Sequence, residues 1–529
     1  MLRFFLAYRR SFNLILFCLL LVASLRLAQA TVCTKDIDVN KSLVVTNLDE
    51  LNGFTLEAIL RSIIDSEQVQ QNETDLFQQW MKTFALSTPD NPLGCNNPAI
   101  DPNQFGITCP LNAVANLSMS EFGVTGLFNR FDLAPLDGSH CGEYRITLSK
   151  GIGGSVFRGS LIFEGVMPNP DPSQGFSGCR PIADFWRSLS QEPDPQTRAT
   201  RLHGFYFDGL PENGVPPVLT AKNHGLSLNG SATGFGQIRT NVVTNKWFLH
   251  EFKIGKTCDV PNPCQLQMHM RPIAQNIAGE LFRGDFSTPE KTSLTEEFAT
   301  AFIDQVSNLS SNSPETIKMN MTSTEFFSFE SISAPSPIGD VDFSSFTRFE
   351  LRGSIQNKLN ELNSSLTVDN VLDRATTQTC AGCHRLSAGK DLGDGVIWPS
   401  DNNFVHIDEN GQLSSALTDF FLPHRKQVLG TTLNDDCPGG EQPTVRPTVA
   451  ADGPGGQPTA EPTVAPTIQP TVSPTVAPTV APTVAPTVAP TVAPTVAPTV
   501  APTVEPTVEP TIEPTIEPTI EPTITTTLS

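Results

Sequence analysis

The sequence predicts an α+β fold: a central, mostly antiparallel β unit flanked by an N-terminal helical hairpin and a C-terminal helical region, with a disordered Pro-Thr-rich tail behind them. Two observations predict it. The period of the apolar residues is helical from Leu48 to Leu86, switches to two between about residues 121 and 275, and is helical again after Ser293. From Pro458 to Pro522 a proline stands at every fourth position, mostly as A-P-T-V and later as E-P-T-I, and such a segment builds no core. The corresponding boundaries are 1–30, 31–120, 121–290, 291–440 and 441–529.

The first thirty residues read as a secretory signal. Arg3, Arg9 and Arg10 precede an apolar run from Leu14 to Leu25, and Ala28-Gln29-Ala30 fits a small-x-small cleavage site. The run is too short to span a bilayer comfortably, and no other segment is long and apolar enough. An exported product, periplasmic or extracellular, is expected, without a transmembrane anchor. In 31–120, Leu56, Ile59, Leu60, Ile63 and Ile64 make one helical face, and Asp75 is the expected cap of a second helix carrying Phe77, Trp80, Met81 and Phe84.

The β-rich region opens with VTGLFNRFDL, CGEYRITL and GSLIFEGVM. In the second of these, Tyr144, Ile146 and Leu148 alternate with polar neighbours, as on a half-buried strand. Gly151, Gly153 and Gly154 mark a turn and not a phosphate loop, because the lysine and the strand-to-helix context are missing. PIADFWRSLS and TRATRLHGFYF read as helices, and GQIRTNVV, KWFLHEFKI and CQLQMHMRP as strands. After Ser293 helices are expected on the stripe Leu294, Phe298, Phe302, Val306, then near Phe346–Leu362, Val368–Thr377 and Ser415–Leu429, the last interrupted at Pro423. The tail reads as an extended stalk of roughly 200 Å reach. Its Pro-Thr pairs suit glycosylation and association with a cell wall or surface.

The formal charge of −21 argues against nucleic acid or an anionic membrane as partner. Ten cysteines follow the signal: Cys33, Cys95, Cys109, Cys141, Cys179, Cys258, Cys264, Cys380, Cys383 and Cys437. Cys95–Cys109 and Cys258–Cys264 are plausible loop staples, but spacing does not give the connectivity.

One stretch carries chemistry, Cys380-Ala381-Gly382-Cys383-His384. It reads C-x-x-C-H, and it resembles the attachment site of c-type cytochromes over these five residues only. The resemblance implies one haem c. Cys380 and Cys383 would add to its vinyl groups, His384 would be the proximal ligand of the iron, and residues 291–440 would form a cytochrome c-like region. Other readings of the spacing are a short-range disulfide, or zinc, which would need two further ligands that no second motif offers. FNRFDLAPLDGSHCGEYRI and FLPHRKQVL are similar to parts of exported bacterial proteins, a likeness that implies no activity.

No methionine follows Met321, so the downstream methionine ligand of small cytochromes is missing. His424 and His406 are the candidate distal ligands. Met319 and Met321 are upstream alternatives, and Trp398 and Phe404 are candidates to cover the macrocycle. The expected function is electron transfer or redox sensing with an unidentified redox partner. A haem-dependent oxidoreductase is a weaker form of the same reading. The competing reading is a disulfide-stapled extracellular binding or wall-associated protein without cofactor, displayed on the stalk.

Overall fold

A computed structural model describes residues 37–83, 117–150, 158–228, 231–232, 234–243, 247–258, 261, 263–284, 289–332, 340–402 and 405–433. The chain divides into two units, Met1–Ala460 and Glu461–Ser529, and every described residue belongs to the first. The signal segment, the repeat tail, Cys33, Cys95, Cys109, Cys437, the glycine turn at 151–154, Phe84 and Phe404 lie outside the described residues.

The chain begins with α1 (Val39–Ser42), β1 (Val44–Val45) and α2 (Leu48–Leu51), followed by the expected helical pair α3 (Leu56–Asp65) and α4 (Glu73–Lys82). All five residues of the α3 stripe are fully buried. The cap of α4 is Asn72 and not Asp75: the Asn72 side chain accepts from the Asp75 backbone N–H at 2.8 Å, which places Asp75 inside the first turn. Both residues offer a side-chain oxygen, and the one at the true cap position wins. Next come β2 (Gly123–Arg130), β3 (His140–Lys150), β4 (Arg158–Pro168), α5 (Arg180–Gln191), α6 (Pro195–Phe207), β5 (Ser227–Leu228), β6 (Ser231–Ala232), β7 (Gln237–Val243), β8 (Trp247–Thr257) and β9 (Gln265–Arg271).

These strands, with a short β10 (Ser331–Ile332), form one sheet in which β1-β2-β3-β4-β7-β8 pair in that order and only the β5–β8 contact is parallel. Register sorts the side chains into two faces. Leu127, Ile146, Phe163, Ile238 and Phe252 stand opposite one another across β2, β3, β4, β7 and β8, and all are fully buried. Trp80 of α4 packs edge-on against Phe163 and Phe252, and Tyr144 stacks on Trp186 of α5, so helices cover this face. The neighbouring rows point the other way, because side chains alternate along a strand. They read Phe128, Arg145, Glu164, Gln237 and Thr147, Ile162, Arg239, Glu251. The polar side of β3 is therefore not solvent-facing as its alternation suggested: Glu143 and Thr147 are buried as well.

A second apolar core follows, built on α7 (Gly279–Arg283), α8 (Pro289–Leu309), α9 (Phe343–Phe346), α10 (Phe349–Glu361) and α11 (Val368–Thr376). Phe298, Phe302 and Val306 of the expected stripe are at its centre. The last helix, α12 (Leu422–Leu433), returns to the first core through Leu422, Leu429 and Leu433. Helical residues run without a gap from Ser415 to Leu433, and a π-turn, Leu417–Phe421, lies directly before Pro423, so the expected interruption is a local change of winding and not a break.

Among the described residues two disulfides are present. Cys258–Cys264 is the local staple expected from spacing, and Cys141–Cys179 ties the start of β3 to the start of α5. Both suit an oxidising compartment. Among the described residues no helix is long and apolar enough to cross a membrane. Cys141→Ala with Cys179→Ala opens a loop of 38 residues. The expected loss is roughly 3–4 kcal/mol, read as a lower denaturation midpoint.

Candidate cofactor and metal centre

The five-residue motif is held from both sides of the chain. The α11 helix that leads into it starts with a capping box: Thr367 Oγ1 accepts from the Asn370 N–H at 3.1 Å, and Asn370 Oδ1 accepts from the Thr367 N–H at 3.0 Å. Arg374, fully buried, donates to the carbonyls of Leu309, Ser311, Leu392 and Gly393 at 2.7–3.1 Å and fixes the end of α11 against two loops. The chain then turns and winds again at Cys380. Asn276 Oδ1 accepts from the Cys380 N–H at 2.8 Å, and Asp340 Oδ2 accepts from the Ala381 N–H at 2.7 Å. Asn276 Nδ2 and Ser331 Oγ in turn donate to Asp340, at 2.7 and 2.5 Å. These side chains satisfy amides that a helix start leaves unpaired.

Gly382–Leu386 is a π-turn, closed by Ser387 N–H donating to the Gly382 carbonyl at 3.0 Å. Such turns reposition side chains within a helix and recur at functional sites. Glycine is required here: a Cβ on Gly382 would lie 1.7 Å from the Thr376 carbonyl oxygen.

Four donor residues meet at this turn. His384 Nδ1 lies 2.6 Å from Asp401 Oδ2, and His406 Nδ1 lies 2.8 Å from Asp401 Oδ1. One donor atom from each of Cys383, His384, Asp401 and His406 falls within 4.8 Å of the others. The backbone of Cys383 is held by Trp398 Nε1, which donates to its carbonyl at 2.8 Å. His406 is carried by a loop pinned by the bridges Asn402–Val405 and Ile407–Leu413. Burial alone would raise the Asp401 carboxyl, but the two imidazoles outweigh it and hold it far below the usual carboxylate range.

The motif opens onto a cleft against the second face of the sheet. Cys380, His384 and His406 line a hollow of about 870 Å³ of empty space, counted out to its mouth, and the same residues line an adjoining one of about 1110 Å³. Phe128, Ile162, Leu249, Val405, Ile407 and Leu417 make the apolar part of the first hollow. Arg130, Arg145, Arg239 and Arg425 border both. The arginines are balanced by neighbouring acids. Arg130 grips Asp132 at 3.0–3.2 Å, Arg145 pairs with Glu143 and Glu164, and Arg239 lies 3.2 Å from Glu251.

The acids differ in charge state. Burial opposes ionisation of Glu164 and Asp132, yet the arginines prevail and lower both. At Glu251 burial prevails over Arg239 and pushes the carboxyl up to about 7. From its ordinary value of 4.5 up to about 7 the folded chain keeps a proton that the unfolded chain has lost, so stability falls as pH rises through that window. Glu251→Gln is expected to remove roughly 3 kcal/mol of this slope. Denaturation midpoints at pH 5 and 8 for both proteins check it.

The structure brings Cys380, Cys383 and His384 to one cleft, as the motif requires, and Cys380 and Cys383 are not joined to each other. Burial beside Asp340 pushes the Cys380 thiol up to about 12. His424 lines the hollow that also holds Cys383 and His384, and its Nε2 is buried without a hydrogen-bond partner. Burial lowers its pKa and favours the neutral imidazole that ligates metals. His406 stands beside His384 instead, with ring centres 4.6 Å apart at 53°. Imidazole donors on opposite sides of one iron stand about 4 Å apart and their ring centres farther still, given donor–metal distances of about 2 Å. Met319 and Met321 are buried in the second core and do not border the cleft, whereas Trp398 does.

No family model, no curated protein and no solved structure matches the chain.

The residues present fit the group that the motif implies. A flat apolar macrocycle with two carboxylates needs an apolar wall and cationic partners: the cleft has the wall, and its arginines, though paired with acids, face two, Glu143 and Glu251, that burial shifts toward the neutral form. His424, whose Nε2 is buried without a hydrogen-bond partner, lines the adjoining hollow. Sequence reasoning missed Asp401, the residue that unites the two histidines. The spacing Asp401-x-x-x-x-His406 shortly after C-x-x-C-H was the available signal.

Proposed function

We propose that the cleft holds one covalently attached haem and that the protein is an exported carrier of single electrons. One observation carries this reading. Cys380 and Cys383 open with His384 onto one cleft and are not joined to each other, while the other four described cysteines are paired in disulfides. A cofactor-free stapled protein calls for those two sulfurs in a disulfide.

In this reading Cys380 and Cys383 anchor the group and His384 is the proximal ligand. Asp401, 2.6 Å from Nδ1, fixes the His384 tautomer and leaves Nε2 for the metal. His424, lining the adjoining hollow, would be the second ligand. The bound group supplies a one-electron couple. Two histidine ligands favour electron transfer over substrate turnover, because no coordination position stays open.

Full-length protein from a host that matures c-type cytochromes should show a Soret band and the added mass of one haem. Colourless protein with Cys380 and Cys383 joined would overturn the proposal in favour of the stapled binding protein. His424→Ala is expected to retain the haem and change the spectrum from six- to five-coordinate. An unchanged spectrum would remove His424 from the site.

A further inference from the structure

We propose that the chain without haem is itself a metal-binding protein, with Cys383, His384, Asp401 and His406 holding one divalent ion of the zinc class. This goes beyond the haem reading and does not need it to hold. The donors come from two segments: Cys383 and His384 on the π-turn, Asp401 and His406 on the loop behind Trp398. One donor atom of each lies within 4.8 Å of the rest. Neighbouring donors on a tetrahedral ion stand about 3.3 Å apart, so the cluster adapts to an ion by small shifts.

The donor chemistry points the same way. A thiolate, a carboxylate and two neutral imidazoles cancel the charge of a divalent cation, and the Cys383 thiol proton leaves on binding. Sulfur and nitrogen donors select zinc, cobalt or ferrous iron over magnesium and calcium. The Asp401 side chain is only 1% exposed, and it is already committed to both histidines. The π-turn and the Trp398 contact hold the Cys383 backbone beside them. The two further ligands that a zinc reading of C-x-x-C-H lacked are thus supplied by the loop. Cys380 is not among the four. The ion and the haem share Cys383 and His384 and therefore exclude one another.

The test is a titration of full-length, haem-free protein, made where no attachment machinery operates, with Co²⁺. One equivalent is expected to give a thiolate-to-cobalt charge-transfer band and tetrahedral ligand-field bands, both abolished by displacement with Zn²⁺. Cys383→Ser should lose the charge-transfer band and Cys380→Ser should keep it. Asp401→Ala and His406→Ala, each removing a ligand outright, should weaken binding by more than the roughly 10- to 100-fold that loss of a ligand's supporting partner costs. Zn²⁺ should raise the thermal midpoint of the parent and of Cys380→Ser, but not of His406→Ala, which separates loss of a ligand from loss of fold. Absence of the band in the parent would overturn the inference, as would equal loss in both cysteine variants or full binding by His406→Ala. A missing Soret band from a haem-competent host bears on the haem reading alone.

Discussion

His384→Ala is expected to leave the haem bound through its two sulfurs and to remove the proximal ligand, with a large displacement of the Soret band and of the reduction potential. Every other contact of the turn survives the change. Asn276, Asp340 and Trp398 bind its backbone and not the imidazole, so the fold should persist. The site left behind has the size of an imidazole and retains the Asp401 carboxylate on its far side. Added imidazole should therefore restore the spectrum in part. A holoprotein whose spectrum is indifferent to this substitution would show that another residue holds the iron. A parent protein without haem would fail earlier, at the first spectrum.

Gly382→Ala is expected to act through the backbone, with a loss of roughly 4 kcal/mol or more. The new methyl would meet the Thr376 carbonyl at 1.7 Å and Thr379 Oγ1 at 2.5 Å. Neither can retreat easily. Thr376 closes the last turn of α11, and Thr379 Oγ1 both accepts from the Gly382 N–H at 3.0 Å and donates to the Thr376 carbonyl at 3.0 Å. The measurement is a denaturant midpoint on haem-free protein, where ligand binding adds nothing. An alanine variant as stable as the parent would mean that the π-turn can rewind as an ordinary helix. These two variants separate ligation from placement: one keeps the turn and loses the metal partner, the other keeps every donor and loses the turn that aims them.

Much of the fold was legible because it follows from period. β2, β3, β4, β7, β8 and β9 fall on the stretches whose apolar residues alternate, and α8, α10 and α11 on those with helical stripes. The site was legible only in part. Cys380, Cys383 and His384 are close in sequence, and their spacing carries a chemistry. Asp401 is a loop residue with no period around it, and only the fold brings it to His384. The same holds for Arg145, Glu164, Arg239 and Glu251. Alternation reads β3 as half-buried with Arg145 on its polar side, while bulky residues on both faces of β8 read the strand of Glu251 as central or covered. What covers them is a segment more than a hundred residues further along the chain. Connectivity fails for the same reason, since Cys141 and Cys179 are joined by the approach of β3 and α5 and not by any spacing.

Because α12 packs back on the first core, part of the cleft is made by the last described residues: Leu417 and Arg425 border it, yet they follow the motif by some forty residues. During synthesis the earlier parts collapse first. For a time, then, the turn with its two sulfurs is formed or forming while one side of its chamber is still missing. Under the haem proposal, a bulky planar guest would enter sideways during that interval and be enclosed afterwards. Loading and closure would be successive events in the maturation of a single polypeptide, set by the order in which its residues are made.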